Sequence, residues 1–130
     1  MQNINLNEPD LHIVNELKKI QWPIINKEGT PVFLRERRGD INNTINHIAK
    51  KSHYLKVRDI KVIKSIITNP LKIISKDSRQ RKIYFGNRPG NPKGNNSEMF
   101  LQITVEVYKG KEYISTIYPR KTPTEKLHFY

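Results

Sequence analysis

From Met99 to Val107 every second side chain is apolar: Met99, Leu101, Ile103, Val105 and Val107 alternate with Phe100, Gln102, Thr104 and Glu106. A period of two held that long specifies a strand with one face turned to a core, and it commits the chain to building a sheet. Lys109-Gly110 then reverses the chain into Lys111 to Tyr118, the second strand of an antiparallel hairpin. Lys-Gly is a poor type I′ pair, because the first central position also wants positive φ. A three-residue loop ending with Gly110 in the left-handed region fits better. In that register Val107 faces Lys111, Val105 faces Tyr113, Ile103 meets Ser115 and Leu101 meets Ile117 on the core side. Gln102, Thr104, Thr116 and Tyr118 share the other, polar face, and a slip of one residue would exchange the two faces.

The earlier chain supplies helices. Leu11, Val14, Leu17 and Ile20 form a helical stripe with Asp10 placed to cap it. Trp22-Pro23 ends that helix, Glu28-Gly29 turns the chain, and Pro31 to Leu34 reads as a short strand suited to a sheet edge, since Pro31 cannot donate to a ladder. Asp40 caps a second helix whose stripe is Ile41, Ile45, Ile48 and Ala49, with His47 pointing away from it and His53 near or past its end. A third helix carries Ile60, Ile63 and Ile67, widened by Val62 and Ile66, and stops at Asn69-Pro70. Leu71 to Ser75 and Gln80 to Phe85 are strands, the latter with Ile83 and Phe85 toward the core and Lys82 and Tyr84 on the open face. Residues 86–97, GNRPGNPKGNNS, have no means of burying apolar area and form a long exposed loop carrying Arg88 and Lys93. Helices followed by antiparallel strands describe an α+β domain with its N-terminal helices packed on one face of a small twisted sheet.

The 130 residues fit one domain, and with no cysteine there is neither a disulfide framework nor a thiolate site. Four scattered histidines without a carboxylate cluster argue against a bound metal, and nothing points to a cofactor. No apolar run approaches a membrane span, and the first residues lack the pattern of a signal peptide, so a cytoplasmic protein without membrane attachment is expected, one that a phage could carry or that could be delivered into a target cell.

Charge narrows the partner. The chain has 24 Lys and Arg against 12 Asp and Glu, a net +12. Residues 1–40 are balanced, with Lys18, Lys19, Lys27, Arg35, Arg37 and Arg38 set against Glu8, Asp10, Glu16, Glu28, Glu36 and Asp40, so the whole surplus lies beyond residue 40. Such a surplus attracts a polyanion, and RNA or DNA backbone is the natural one; the plainer alternative is a well-solvated surface.

Cleaving RNA without a metal takes a base for the 2′-hydroxyl proton, an acid for the departing 5′-oxygen and cations or donors for the phosphate. His47 and His53, in the basic part of the chain, are the first candidates for proton transfer, ahead of His12 and His128 near the ends. Lys82 could hold phosphate, Thr116 could donate to a phosphate oxygen, and Tyr118 could hydrogen-bond or stack on a base. Arg81, Tyr84, Arg88, Lys93 and Gln102 complete a substrate-binding set.

The succession HIAKKSH (His47 to His53), ITNP (Ile67 to Pro70), RKIYF (Arg81 to Phe85) and STIYP (Ser115 to Pro119) resembles the Barnase, EndoU, colicin and RelE-like nuclease superfamily, nearest its phage-associated branch. The resemblance covers about residues 31–122. It implies a nuclease domain over residues 31–130, with residues 1–30 left as a helical arm or linker. It also implies an active site on the concave sheet face and metal-independent RNA cleavage to a 2′,3′-cyclic phosphate. The family's histidine matches His53, its strand cation Lys82 or Arg81, its hydroxyl residue Thr116 and its tyrosine Tyr118, with His47 in a catalytic or supporting place. An acidic immunity or antitoxin protein is the partner that a toxin of this kind implies. The alternative from another class is a non-catalytic RNA- or DNA-binding module of a phage or mobile element.

Overall fold

Asp10 and Asp40 both act as helix caps. Asp10 Oδ1 accepts from the His12 amide at 2.9 Å and opens α1, Leu11–Lys19; Asp40 Oδ1 accepts from the Asn43 amide at 2.8 Å and opens α2, Ile41–Ile48. The α1 stripe buries Ile13, Val14 and Leu17, while Leu11, expected to belong to it, is exposed. The third predicted helix is two short ones, α3 (Val57–Ile60) and α4 (Ile63–Thr68), preceded by a 3-10 turn at Lys51–His53. The computed structural model describes residues 5–35, 38–76, 80–90 and 99–121.

Six strands follow the chain order β1 (Ile24–Ile25), β2 (Pro31–Phe33), β3 (Lys72–Lys76), β4 (Arg81–Asn87), β5 (Phe100–Tyr108) and β6 (Lys111–Arg120). They form one curled sheet in the order β1-β2-β6-β5-β4-β3, a half-barrel with the helices on one side, so the fold is α+β. The sheet is mixed and not purely antiparallel as expected: β2 joins β6 in parallel, with Val32 beside Glu112 and Phe33 beside Tyr113. Nor is β2 an edge. Pro31 pairs with Ile25 of β1, at the end of a two-residue ladder where its missing N–H costs little.

The hairpin departs from its expected register. Lys109 and Gly110 both have positive φ, 49° and 75°, and close a two-residue turn with Tyr108 opposite Lys111. A bulge then intervenes, since Val105 faces Ile114 while the adjoining Thr104 faces Thr116, leaving Ser115 as the extra residue; its hydroxyl donates to the Thr104 carbonyl at 3.2 Å. Ile114 and Ile117, three apart, therefore both enter the core, and Tyr113 goes to the other face to stack on Phe33 at 5.5 Å. Gln102, Thr104, Thr116 and Tyr118 do share a face, with partners two residues away from those expected.

The main core joins the helices to the sheet through residues such as Leu17, Ile48, Ile63, Tyr84, Ile103 and Ile117. Gly86, expected in the loop, lies within β4 against α4, where a β-carbon would collide with the Ile66 side chain. Of the stretch expected to be an arm or linker, the described residues 5–30 pack with the rest of the chain. Ile13, Val14, Leu17 and Ile24 belong to that same core, and the segment before α1 is laced to the chain after α2 by Asp10 N to Ala49 O at 2.8 Å, Lys51 N to Glu8 O at 3.1 Å and Ser52 N to Leu6 O at 3.0 Å. Leu17→Ala should accordingly cost about 2–5 kcal/mol in denaturant unfolding, as for a core leucine. A loss near zero would return α1 to the status of an arm.

Candidate functional site

Beyond the bulge, β6 turns Thr116, Tyr118 and Arg120 to the face away from the core, level with Thr104, Gln102 and Phe100 of β5. Neighbouring β4 adds Arg81, Ile83 and Phe85 to the same face, opposite Glu106, Thr104 and Gln102. This face is not bare: Ile83 and Phe85 pack with Ile74 of β3 into a small second cluster. Gln102 and Thr104 are buried as well, and exposure begins at Tyr118, which is 36% accessible.

Two imidazoles meet that rim. His47 lies in the last turn of α2 and His53 ends the 3-10 turn that follows, so a short stretch of chain returns the second ring to the first. Their centroids are 5.2 Å apart in an edge arrangement, and the His53 ring is also 5.2 Å from that of Tyr118. His53 Nδ1 lies 3.2 Å from the Ile48 carbonyl; since a carbonyl only accepts, Nδ1 carries the proton and Nε2 of the neutral ring keeps its lone pair. Burial pushes the His53 pKa below its ordinary value, and the nearby His47 and Lys50 charges push the same way. The outcome is a histidine neutral at pH 7 with its basic nitrogen uncommitted to that bond. The laced N-terminal segment holds this turn from outside, through Lys51 and Ser52.

Lys82 and Tyr84, expected on this face, lie on the other. They stand opposite Val105 and Ile103, side by side with the core residues, and Tyr84 is fully buried. There they meet Glu112, itself 3% exposed: Lys82 Nζ is 3.0 Å from Glu112 Oε2, Tyr84 Oη donates to Glu112 Oε1, and Asn26 Nδ2 donates to both Tyr84 Oη (3.1 Å) and Glu112 Oε2 (3.2 Å). Burial and the bond to Glu112 drive the Tyr84 pKa up to about 12, so the phenol stays a donor. Burial alone would lower the Lys82 pKa, but its bonds to Tyr84 and Glu112 outweigh this and raise it. The network ties β4, β6 and the turn after β1 together, since Asn26 Oδ1 also receives the Glu28 and Thr30 amides at 3.0 and 2.8 Å.

Arg88 is likewise committed. Its Nε and a terminal nitrogen grip both Asp59 oxygens at 3.0 and 2.9 Å, and it donates to the Tyr54 carbonyl at 3.0 Å. Asp59 is wholly buried and also accepts from the Lys56 amide at 2.7 Å, capping α3. Arg88 therefore clamps the end of β4 to α3, a different task from the substrate contact expected of it. Lys93 lies outside the described residues. Arg81 is on the right face but opposite Glu106, four residues along β5 from Gln102. Arg120 was missed, although the two-residue spacing Thr116, Tyr118, Arg120 would have found it once Thr116 and Tyr118 were placed.

Among the described residues, only two buried side-chain polar atoms lack a hydrogen-bond partner, Gln102 Oε1 and Thr116 Oγ1, and both are on the face that meets the histidines. Among the same residues, no group of three His, Cys, Asp or Glu side chains converges in a way that could hold a metal ion, and no helix is long and apolar enough to cross a membrane.

The two assignments for Arg88 separate by stability. As a clamp on buried Asp59, Arg88→Ala should lose about 3–5 kcal/mol in urea unfolding by leaving a buried carboxylate uncompensated. A variant as stable as the parent would restore Arg88 to the surface. The chain matches no protein-family model, no curated protein and no solved structure, so these side chains alone carry the argument for function.

Proposed function

We propose that the protein is an endoribonuclease that cleaves RNA by attack of the 2′-hydroxyl on the adjacent phosphate, leaving a 2′,3′-cyclic phosphate and a free 5′-hydroxyl. The single observation that carries this reading is the contact of His47, His53 and Tyr118 beside Thr116 on one sheet face of a chain with net charge +12.

In this mechanism His53 Nε2 takes the 2′-hydroxyl proton while Nδ1–H stays on the Ile48 carbonyl, which fixes tautomer and ring orientation. His47 returns a proton to the departing 5′-oxygen. A charged His47 lowers the pKa of His53, so a neutral base beside a charged acid, the pairing that one turnover needs, is favoured over two charged rings. Thr116 Oγ1, buried and without a partner, donates to the phosphoryl oxygen as charge builds there. Arg120, half-buried two residues beyond Tyr118, supplies the cation that Lys82 does not, and Arg81 meets flanking phosphate further along the face. Tyr118 offers an exposed ring on which a base can stack.

Purified protein incubated with total RNA in excess EDTA should yield fragments with cyclic-phosphate ends. His53→Ala should lower the rate by about 10²–10⁴-fold with little change in affinity. RNA that is bound but left intact would instead make the chain a non-catalytic binding module. The pH profile supplies an independent check. Because His53 is held below its ordinary pKa it remains a base in mildly acidic solution, so the acid limb of kcat/KM should fall below about pH 6.5. A limb at or above that value would remove His53 from the role of base.

A further inference from the structure

A buried polar atom without a partner in the protein is costly, about 1–3 kcal/mol, so two such atoms on one face mark a place able to receive the polar groups of a ligand. Thr116 Oγ1 has a use in the ribonuclease reading above, but Gln102 Oε1 has none. Gln102 is 4% exposed, and its Nε2 donates to Thr104 Oγ1 at 2.9 Å, which leaves its carbonyl oxygen as the uncommitted atom. That oxygen only accepts. It cannot serve a phosphate, whose oxygens also only accept, and its direct cross-strand neighbours, Phe85 and Tyr118, are aromatic.

What it can receive is an N–H. The cross-strand neighbours of Gln102 specify the rest of the ligand: Phe85 on one side is fully buried and flat, and Tyr118 on the other is partly exposed, its ring already in edge contact with His53. An aromatic, planar group with an N–H on its edge, approaching from the Tyr118 side, matches all three. Resting on the ribonuclease reading of this face, we propose that Gln102 is a specificity residue: its carbonyl oxygen accepts an edge N–H of the unpaired nucleobase next to the scissile phosphate, with the base seated against Tyr118. Cleavage is then selective for the base at that one position. The nearness of Tyr118 to both Gln102 and His53 is what links the base read to the phosphate cut.

The test uses short single-stranded oligoribonucleotides that differ only in the base beside one cleavable linkage, together with copies whose attacking 2′-hydroxyl is replaced by hydrogen so that affinity is read without cleavage. The wild-type protein should prefer one base by about tenfold or more in kcat/KM, and Gln102→Leu, which removes the acceptor while keeping side-chain volume, should flatten that preference. Equal cleavage next to all four bases by the wild type overturns the proposal without any variant and leaves the ribonuclease reading standing. A preference that survives in folded Gln102→Leu overturns it as well. If no oligonucleotide is cut, the ribonuclease reading fails, and the uncleavable set decides the pocket separately: base-dependent affinity lost in Gln102→Leu supports it, and base-independent affinity rejects it.

Discussion

The pairing of β5 with β6 is the constraint on which both the core and the site depend, and one residue decides it. A two-residue turn at Lys109-Gly110, continued without interruption, would place Glu112, Ile114, Thr116 and Tyr118 together on the core side. The bulge at Ser115 reverses the alternation, so that Ile117 replaces Thr116 inside and Thr116, Tyr118 and Arg120 pass to the face that meets the histidines. The arrangement is consistent on both sides of the bulge. Before it, Tyr113 leaves the core to stack on Phe33, with Arg35 over the Tyr113 ring at 4.9 Å, while Ile114 packs inside. After it, the polar side chains come out just where α2 and its following turn bring the imidazoles.

That device is faintly written in the chain. Ile114 and Ile117, three apart in a segment otherwise of period two, cannot both face one core along an unbroken strand, and this is the mark of a bulge that strict alternation overlooks. Elements whose pattern is local were legible: both Asp caps, the strands of the hairpin and the sharing of one face by Gln102, Thr104, Thr116 and Tyr118. The facing of strand β4 was not, because it is apolar on both faces. Ile83 and Phe85 have their own cluster with Ile74, and Tyr84 enters the main core because Glu112 and Asn26, 28 and 58 residues distant in sequence, satisfy its hydroxyl. Nothing near Lys82 in the chain announces that its partner is a buried carboxylate on β6. The same holds for Arg88, whose partner Asp59 is 29 residues away.

The balance of acids and bases in the first forty residues says nothing of how that portion packs, since charge balance speaks to surface. Leu17 and Ile24 are as deeply buried as the central sheet residues Ile103 and Ile117. The lacing of residues 6–10 against 49–52 gives this portion a part in the site as well, for it braces the turn that carries His53. An imidazole that must present one nitrogen in one direction needs its backbone held, and here the Ile48 carbonyl sets the ring while the N-terminal segment sets the turn.

Buried polar groups fall into two kinds in this fold, and the division follows the two faces of the sheet. On the helix side each is partnered: Glu112 by Lys82, Tyr84 and Asn26, and Asp59 by Arg88 and the Lys56 amide. These networks hold strands and helices in register, and removing one member leaves a charge or hydroxyl stranded. On the other face Gln102 and Thr116 are left incomplete. Selection for stability alone would replace such atoms with apolar isosteres, since Val suits a strand as well as Thr. A fold able to gather three polar groups around one buried carboxylate could satisfy these two. That both atoms lie on the face that meets His53 and Tyr118 fits the part in ligand recognition proposed for it.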